Sequence, residues 1–265
     1  MWRVLYPVLI SFAIGQIVGG TALALINQYG KGMDTYYKST MFLTGVAGLL
    51  TMLPLLYFYR KDRLCRIAGG IVKPEGIRHG RVLDYLLLLF MGAAMAQFGN
   101  LIVAIFQIFL QSSTYQDTMS LVTDGKSLME MIYWMGIVAP VAEETVFRWM
   151  VFARLRDYMK LWPSVLISAL MFGIYHGNIV QFLYAFLLGS LFAYFMEMTG
   201  SLYASVLLHI GANIWSLVYS ELGLWLLQSS AVGILTVIDF VLLGVLLAGT
   251  RYFARMGKER NARCV

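Results

Sequence analysis

Long apolar segments, separated by short polar connections, run along the whole chain. They occupy residues 4–26, 40–59, 82–110, 128–153, 163–175, 179–198, 202–219 and 224–249. An α-helix needs about 20 apolar residues to cross the roughly 30 Å hydrocarbon core of a bilayer. Most of the segments approach or exceed that length, whereas the fifth is short for a full crossing. The pattern therefore predicts an all-α polytopic membrane bundle of about eight transmembrane helices.

The basic residues test this count, because the cytoplasmic loops of membrane proteins are enriched in Lys and Arg. With a cytoplasmic N-terminus, 16 Lys and Arg lie in inside segments and 3 in outside loops, namely Lys31, Lys38 and Lys126. This asymmetry predicts that both termini are cytoplasmic. The first segment is interpreted as a retained helix, because its apolar run is too long for a cleaved signal peptide.

Composition supports the same class of protein. The chain is 60% hydrophobic and 13% charged, whereas a soluble domain carries about 25% charged residues. The net charge of +6 comes from Lys and Arg gathered in the inside loops, which favours anionic lipid head groups and not nucleic acid as the partner. No internal repeat or soluble segment interrupts the pattern. The sequence thus predicts a single integral membrane domain over residues 1–265.

Three charged residues lie within six positions of the fourth apolar segment, at Glu143, Glu144 and Arg148. Together they would cost on the order of 8–10 kcal/mol if they faced lipid, so they are expected to face the bundle interior. Glu144 and Arg148 are four residues apart, which predicts an ion pair on one helix face. Glu143 is rotated by about 100° from Glu144 on an ideal helix and is expected to lie outside that pair. Pro140 is expected to loosen the helix just before them.

Two of the three histidines also lie at apolar segments. His176 ends the fifth segment, one helical turn after Phe172, and His209 lies one turn before Asn213 in the seventh segment. Ionisable residues inside a membrane mark functional sites more often than packing positions. The histidines are therefore predicted to share one site with the carboxylates of the fourth segment.

These residues form three ordered motifs: EExxxR at Glu143–Arg148, FxxxH at Phe172–His176 and HxxxN at His209–Asn213. In this order, on separate apolar helices, they resemble the motifs of the CAAX protease and bacteriocin-processing family. That family of intramembrane proteases includes the type II CAAX prenyl endopeptidases. The resemblance covers roughly residues 125–220, and every motif position matches. It implies an intramembrane endopeptidase of the bacterial cytoplasmic membrane, acting on a membrane-associated peptide or protein.

The resemblance and the chemistry of the side chains together suggest roles. Glu143 is expected to act as the general base that activates water, and His176 to share that water. His209 and Asn213 are expected to donate hydrogen bonds to the developing oxyanion. Glu144, Arg148 and Phe172 are expected to support the site without taking part in the chemistry.

The part played by a metal stays open at this point. Glu143, His176 and His209 offer the two imidazoles and one carboxylate of a catalytic zinc site, yet the chain has no HExxH pair, the usual local zinc signature. The resemblance is compatible with both a Zn²⁺ mechanism and a metal-free glutamate mechanism, and metal-free water activation is preferred. Of the other residues within the segments, Asp239 is interpreted as a structural acid, and Trp149 and Trp215 as packing aromatics near the motifs.

Two other classes of function compete with the protease. The first is a non-catalytic scaffold, a bacteriocin-immunity protein or a regulator of a membrane partner, in which the motifs serve assembly or a homo-oligomer. The second is a proton-coupled transporter, which the lack of an inverted repeat disfavours. The sequence names neither the substrate nor its cleavage position.

Overall fold

The computed structural model describes residues 2–69, 81–110, 114–228 and 233–262, all of them in helices or short connections. In chain order the helices are α1 Trp2–Gln28, α2 Met33–Ala68, α3 Val82–Leu110, α4 Thr114–Thr123, α5 Leu128–Met131, π1 Ile132–Val138, α6 Ala139–Glu144, π2 Thr145–Phe152, α7 Ala153–Leu155, α8 Leu161–Tyr175, α9 Ile179–Thr199, α10 Leu202–Gln228 and α11 Gly233–Ala262. The predicted all-α class is confirmed. We call α5 to α7, which follow one another without a break, the segmented helix.

Among the described residues, six helices are long and apolar enough to cross a membrane, namely α1, α2, α3, α9, α10 and α11. The other two predicted segments correspond to the segmented helix and to α8, which has only 15 residues. The polytopic membrane fold is therefore confirmed, whereas the orientation of the termini stays a prediction. Residues 70–80 of the basic connection lie outside the described residues.

Several helix boundaries differ from the sequence prediction, and α11 begins at Gly233 and ends at Ala262 instead of running from 224 to 249. The seventh segment was expected to end at 219 and the eighth to begin at 224, but α10 continues through Gly223 to Gln228. A glycine inside a helix costs only about 1 kcal/mol relative to alanine, so it does not have to end the helix. The second helix, α2, extends beyond its apolar segment at both ends, because helical hydrogen bonding does not stop where the hydrocarbon ends.

Contacts between residues divide the chain into two compact units. The first contains α1, α2, α4 and the segmented helix. Within it, α2 packs closely on the segmented helix: a Cβ atom on Gly45 would lie 2.2 Å from the Trp134 ring, and one on Gly48 would lie 2.9 Å from the Cβ of Ala142. These two glycines therefore let α2 approach the part of the segmented helix that precedes Glu143.

Arginine–aspartate pairs fasten the C-terminal end of the segmented helix. Arg154 is buried, and its Nε donates to an Asp62 carboxylate oxygen of α2 at 2.6 Å. Arg66 of α2 donates to Asp157 at 2.7 Å and also to the backbone carbonyl of Ala153. A carbonyl in the last turn of a helix has no partner within the helix, so Arg66 satisfies a group that would otherwise need water.

The second unit contains α3, α9, α10, α11 and all but the first turn of α8. Its core is formed by buried apolar side chains of four helices: Leu88, Met91, Phe192, Leu208 and Phe253. The backbones of α3 and α10 touch, because a Cβ atom on Gly92 would lie 2.0 Å from the carbonyl oxygen of Leu208. Small residues at such contacts are a common way for membrane helices to approach closely.

Candidate active site

The segmented helix carries the first motif, and its backbone changes twice between α and π geometry. The Ala139 N–H donates to the carbonyl of Trp134, and the Ala153 N–H donates to the carbonyl of Arg148, each five residues back. Pro140 lacks an N–H and its ring would collide with the carbonyl of Gly136, so a wider turn before it relieves that contact. π turns are rare and occur often at functional sites. Glu143 and Glu144 thus end a short α segment between two π segments.

The predicted ion pair between Glu144 and Arg148 is present. An Nη1 atom of Arg148 lies 3.0 Å from a carboxylate oxygen of Glu144, and both side chains are 0% exposed. The two side chains still pair although π2 begins between them, at Thr145. Removing one member of a buried pair of this kind would leave the other as an uncompensated buried charge.

Glu143 differs from Glu144 in its burial but is not isolated from the pair. It is half-buried, and its charge acts on Arg148 together with that of Glu144. The observed ion pair joins Arg148 to Glu144, and the expectation that Glu143 lies outside it stays a prediction.

The second motif forms one turn at the end of α8. The Nδ1 atom of His176 lies 2.9 Å from the backbone carbonyl oxygen of Phe172. A carbonyl only accepts hydrogen bonds, so Nδ1 carries the proton in this contact and donates it. In the neutral ring Nε2 then has the lone pair, which makes it the nitrogen that accepts a proton or ligates a metal. The Phe172 ring meets the imidazole edge to face, with 4.8 Å between ring centroids.

The third motif meets the second through Phe172. His209 is buried on α10, with its ring 5.8 Å from that of Phe172 and 5.0 Å from that of Phe192. Phe172 therefore contacts both His176 and His209 and brings two of the three motifs together within the second unit. From the sequence, Phe172 was expected only to support the site beside His176. Spacing within α8 could not predict its contact with His209, because that contact joins α8 to α10.

Asn213 lies one turn after His209 on α10 and is half-buried. Between them, Gly211 has its Cα so close to α3 that an added Cβ would lie 2.0 Å from the carbonyl oxygen of Leu89. The contact leaves no room for a side chain at position 211, so α10 packs this face directly on α3 between the two motif residues. Gly211 was not predicted as a contact residue, although its place between the two polar motif residues is visible in the sequence.

Three residues near the motifs have structural partners. Asp239 accepts a hydrogen bond from Gln97 at 2.8 Å, and Gln97 accepts one from the indole of Trp215 at 2.8 Å. These bonds join α3, α10 and α11, as expected for a structural acid. Trp149 packs against Tyr59, with 5.7 Å between ring centroids.

A metal would need at least three well-placed ligands for a catalytic zinc site. Within each unit, the described residues contain no group of three or more His, Cys, Asp or Glu side chains that could hold a metal ion. Of the suggested ligands, Glu143 belongs to the first unit and His176 and His209 to the second. Neither unit alone supplies the set.

Comparison with known proteins bears on the region that contains the motifs. Residues 125–215 match the family model of the type II CAAX prenyl endopeptidase Rce1-like proteins. The match covers about a third of the chain, encloses all three motifs and confirms the resemblance seen in the sequence. No curated protein and no solved structure gives a significant match. The match supports a CAAX-type protease domain within an integral membrane protein.

Proposed function

We propose that this chain, whose residues 125–215 match the Rce1-like type II CAAX prenyl endopeptidases, hydrolyses a peptide bond of a membrane-associated peptide or protein. The observation that carries the proposal is that the matched region encloses all three polar motifs on helices of a membrane bundle. Proteins retain ionisable groups at such positions mainly for function. We further propose that it works in a bacterial cytoplasmic membrane.

In the proposed reaction, Glu143 removes a proton from water as the water oxygen attacks the scissile carbonyl carbon. The carbonyl double bond opens to an oxyanion, and His209 and Asn213 donate hydrogen bonds to it. When the tetrahedral intermediate collapses, the C–N bond breaks and Glu143 returns the proton to the leaving amine. His176 accepts a hydrogen bond from the same water through Nε2 and so helps to orient it.

Two features of the first unit support the choice of Glu143 over Glu144 as the base. Glu144 is fully buried against Arg148, so its charge is already committed to an ion pair. Glu143 is partly exposed, which allows water to reach its carboxylate.

The test is cleavage by the purified full chain and by Glu143→Gln, which keeps the shape of the side chain and removes its basicity. Glu130→Gln, in the first turn of the same segmented helix, is the matched control. The first substrate is a peptide ending in a prenylated CAAX sequence, as the name of the matched family suggests, and the second is the same peptide without the lipid. We expect Glu143→Gln to lower kcat by about 10²- to 10⁴-fold and the control to leave it unchanged.

Other outcomes would redirect the proposal. Full turnover by Glu143→Gln would contradict its role as the base. If the combined alanine variant of Glu143, His176 and His209 kept the cellular phenotype of the native chain, catalysis would not be the function. The scaffold, immunity or regulatory role would then replace the protease.

A further inference from the structure

An open groove runs between the first half of α1 and the last third of α2, in the first unit. Its volume is about 780 Å³, within the range of about 300–1,000 Å³ for small-molecule sites. Apolar side chains form most of its walls, including Leu9, Ile10 and Ala13 of α1 and Phe58 of α2. The groove is remote in sequence from the three motifs, and the proposed reaction does not use it.

One end of the groove has an excess of positive charge. Arg3, Lys61 and Asp62 line it there. Asp62 already receives two guanidinium groups, from Arg3 at 2.8 Å and from Arg154 at 2.6 Å. Two of the cationic side chains here thus share one carboxylate, and Lys61 adds a third positive charge, exposed at the rim. An anionic group bound at this end would complement the remaining charge.

The groove is about as long as the hydrocarbon layer of one bilayer leaflet is thick. Trp2, also in its wall, is 67% exposed, and tryptophans in such positions lie at the level of the lipid head groups. Arg3 and Ala13 are ten residues apart on α1, a rise of about 15 Å. This is half of the roughly 30 Å hydrocarbon core. The charged end thus lies at the membrane surface while the apolar walls reach the middle of the bilayer.

We infer that this groove binds one anionic phospholipid, with an acyl chain between α1 and α2 and the head-group phosphate beside Arg3 and Lys61. The apolar walls fit the chain, the charged rim fits the phosphate, and the distance between them fits one leaflet. The bound lipid contacts both α1 and the part of α2 whose Asp62 pairs with Arg154 of the segmented helix.

The test is lipid binding by the purified full chain, measured by native mass spectrometry with phosphatidylglycerol and phosphatidylcholine of identical acyl chains. We expect preferential retention of phosphatidylglycerol. Lys61→Gln should lower the affinity for phosphatidylglycerol about five-fold, the effect of one basic residue at a membrane surface. Lys38→Gln, at the opposite end of α2, is the charge-matched control and should change nothing.

A second pair of variants tests the apolar part. Ala13→Trp fills the groove from an exposed position and should abolish retention, whereas Ile17→Trp, on the exposed surface of α1 outside the groove, should not. Equal retention of the two lipids would overturn the inference, as would equal effects of Lys61→Gln and Lys38→Gln. A change in the dimer fraction with Ala13→Trp, at unchanged lipid retention, would assign the groove to a second copy of the chain and overturn it too.

Discussion

Replacing Arg148 by Met removes the cation of the buried pair but keeps a long apolar side chain in its place. Glu144 is 0% exposed, so its carboxylate would lose its cation without gaining water. Breaking a buried pair by removing one partner costs about 3–5 kcal/mol. The double variant Glu144→Gln, Arg148→Met removes both charges, and such replacements are often close to neutral. We therefore expect the double variant to recover most of the loss.

The measurement is the free energy of unfolding in mixed micelles, from the loss of helical circular dichroism as SDS is added. Arg156→Met is the control, because Arg156 lies just after α7 and donates to the backbone carbonyl of Met159, a bond worth about 0.5–1.5 kcal/mol. If Arg148→Met lowers the free energy of unfolding no more than Arg156→Met does, the buried pair does not have the expected cost of disruption. The reasoning is also refuted if the double variant is as unstable as the single one, because the damage would then come from lost packing.

Two further predictions concern the third motif and the metal. Gly211→Ala should push α10 away from α3 and lower both activity and thermal stability, because the new Cβ would lie 2.0 Å from the carbonyl oxygen of Leu89. Gly223→Ala, on the same helix, is the control: nothing lies within 4 Å of the added Cβ, so activity and thermal stability should not change. Equal behaviour of the two variants would contradict the close contact. Activity should withstand a zinc chelator, because the chain lacks the HExxH pair of common zinc proteases. Loss of activity that Zn²⁺ restores would instead favour the zinc mechanism, for which Glu143, His176 and His209 are the suggested ligands.

The features that the sequence predicts well depend on local spacing. Hydropathy alone placed α3 at residues 82–110, as in the structure. The pair of Glu144 and Arg148 follows from two charges four residues apart in an apolar segment, where only one arrangement avoids an exposed charge in lipid. Both predictions need no knowledge of any other helix.

The features that the sequence missed depend on contacts between helices or on backbone hydrogen bonds. The place of Phe172 between His176 and His209 joins α8 to α10, and no spacing within one helix reveals it. The π segments leave the hydropathy pattern almost unchanged, because an apolar run is apolar at either helical pitch. Pro140 was the only local signal, and it indicated a loosened helix without specifying i→i+5 hydrogen bonds.

The two π segments have a consequence for the proposed base. Within a bilayer, backbone groups need partners inside the protein, and π1 and π2 provide them with i→i+5 bonds while widening the helix on both sides of α6. Glu143 and Glu144 end the α segment, so the two carboxylates lie where the backbone changes from α to π geometry. Arg148 pairs with Glu144 at a fully buried position, whereas Glu143 is only half-buried. The EExxxR spacing thus separates a carboxylate that is committed to an ion pair from one that the proposed reaction can use.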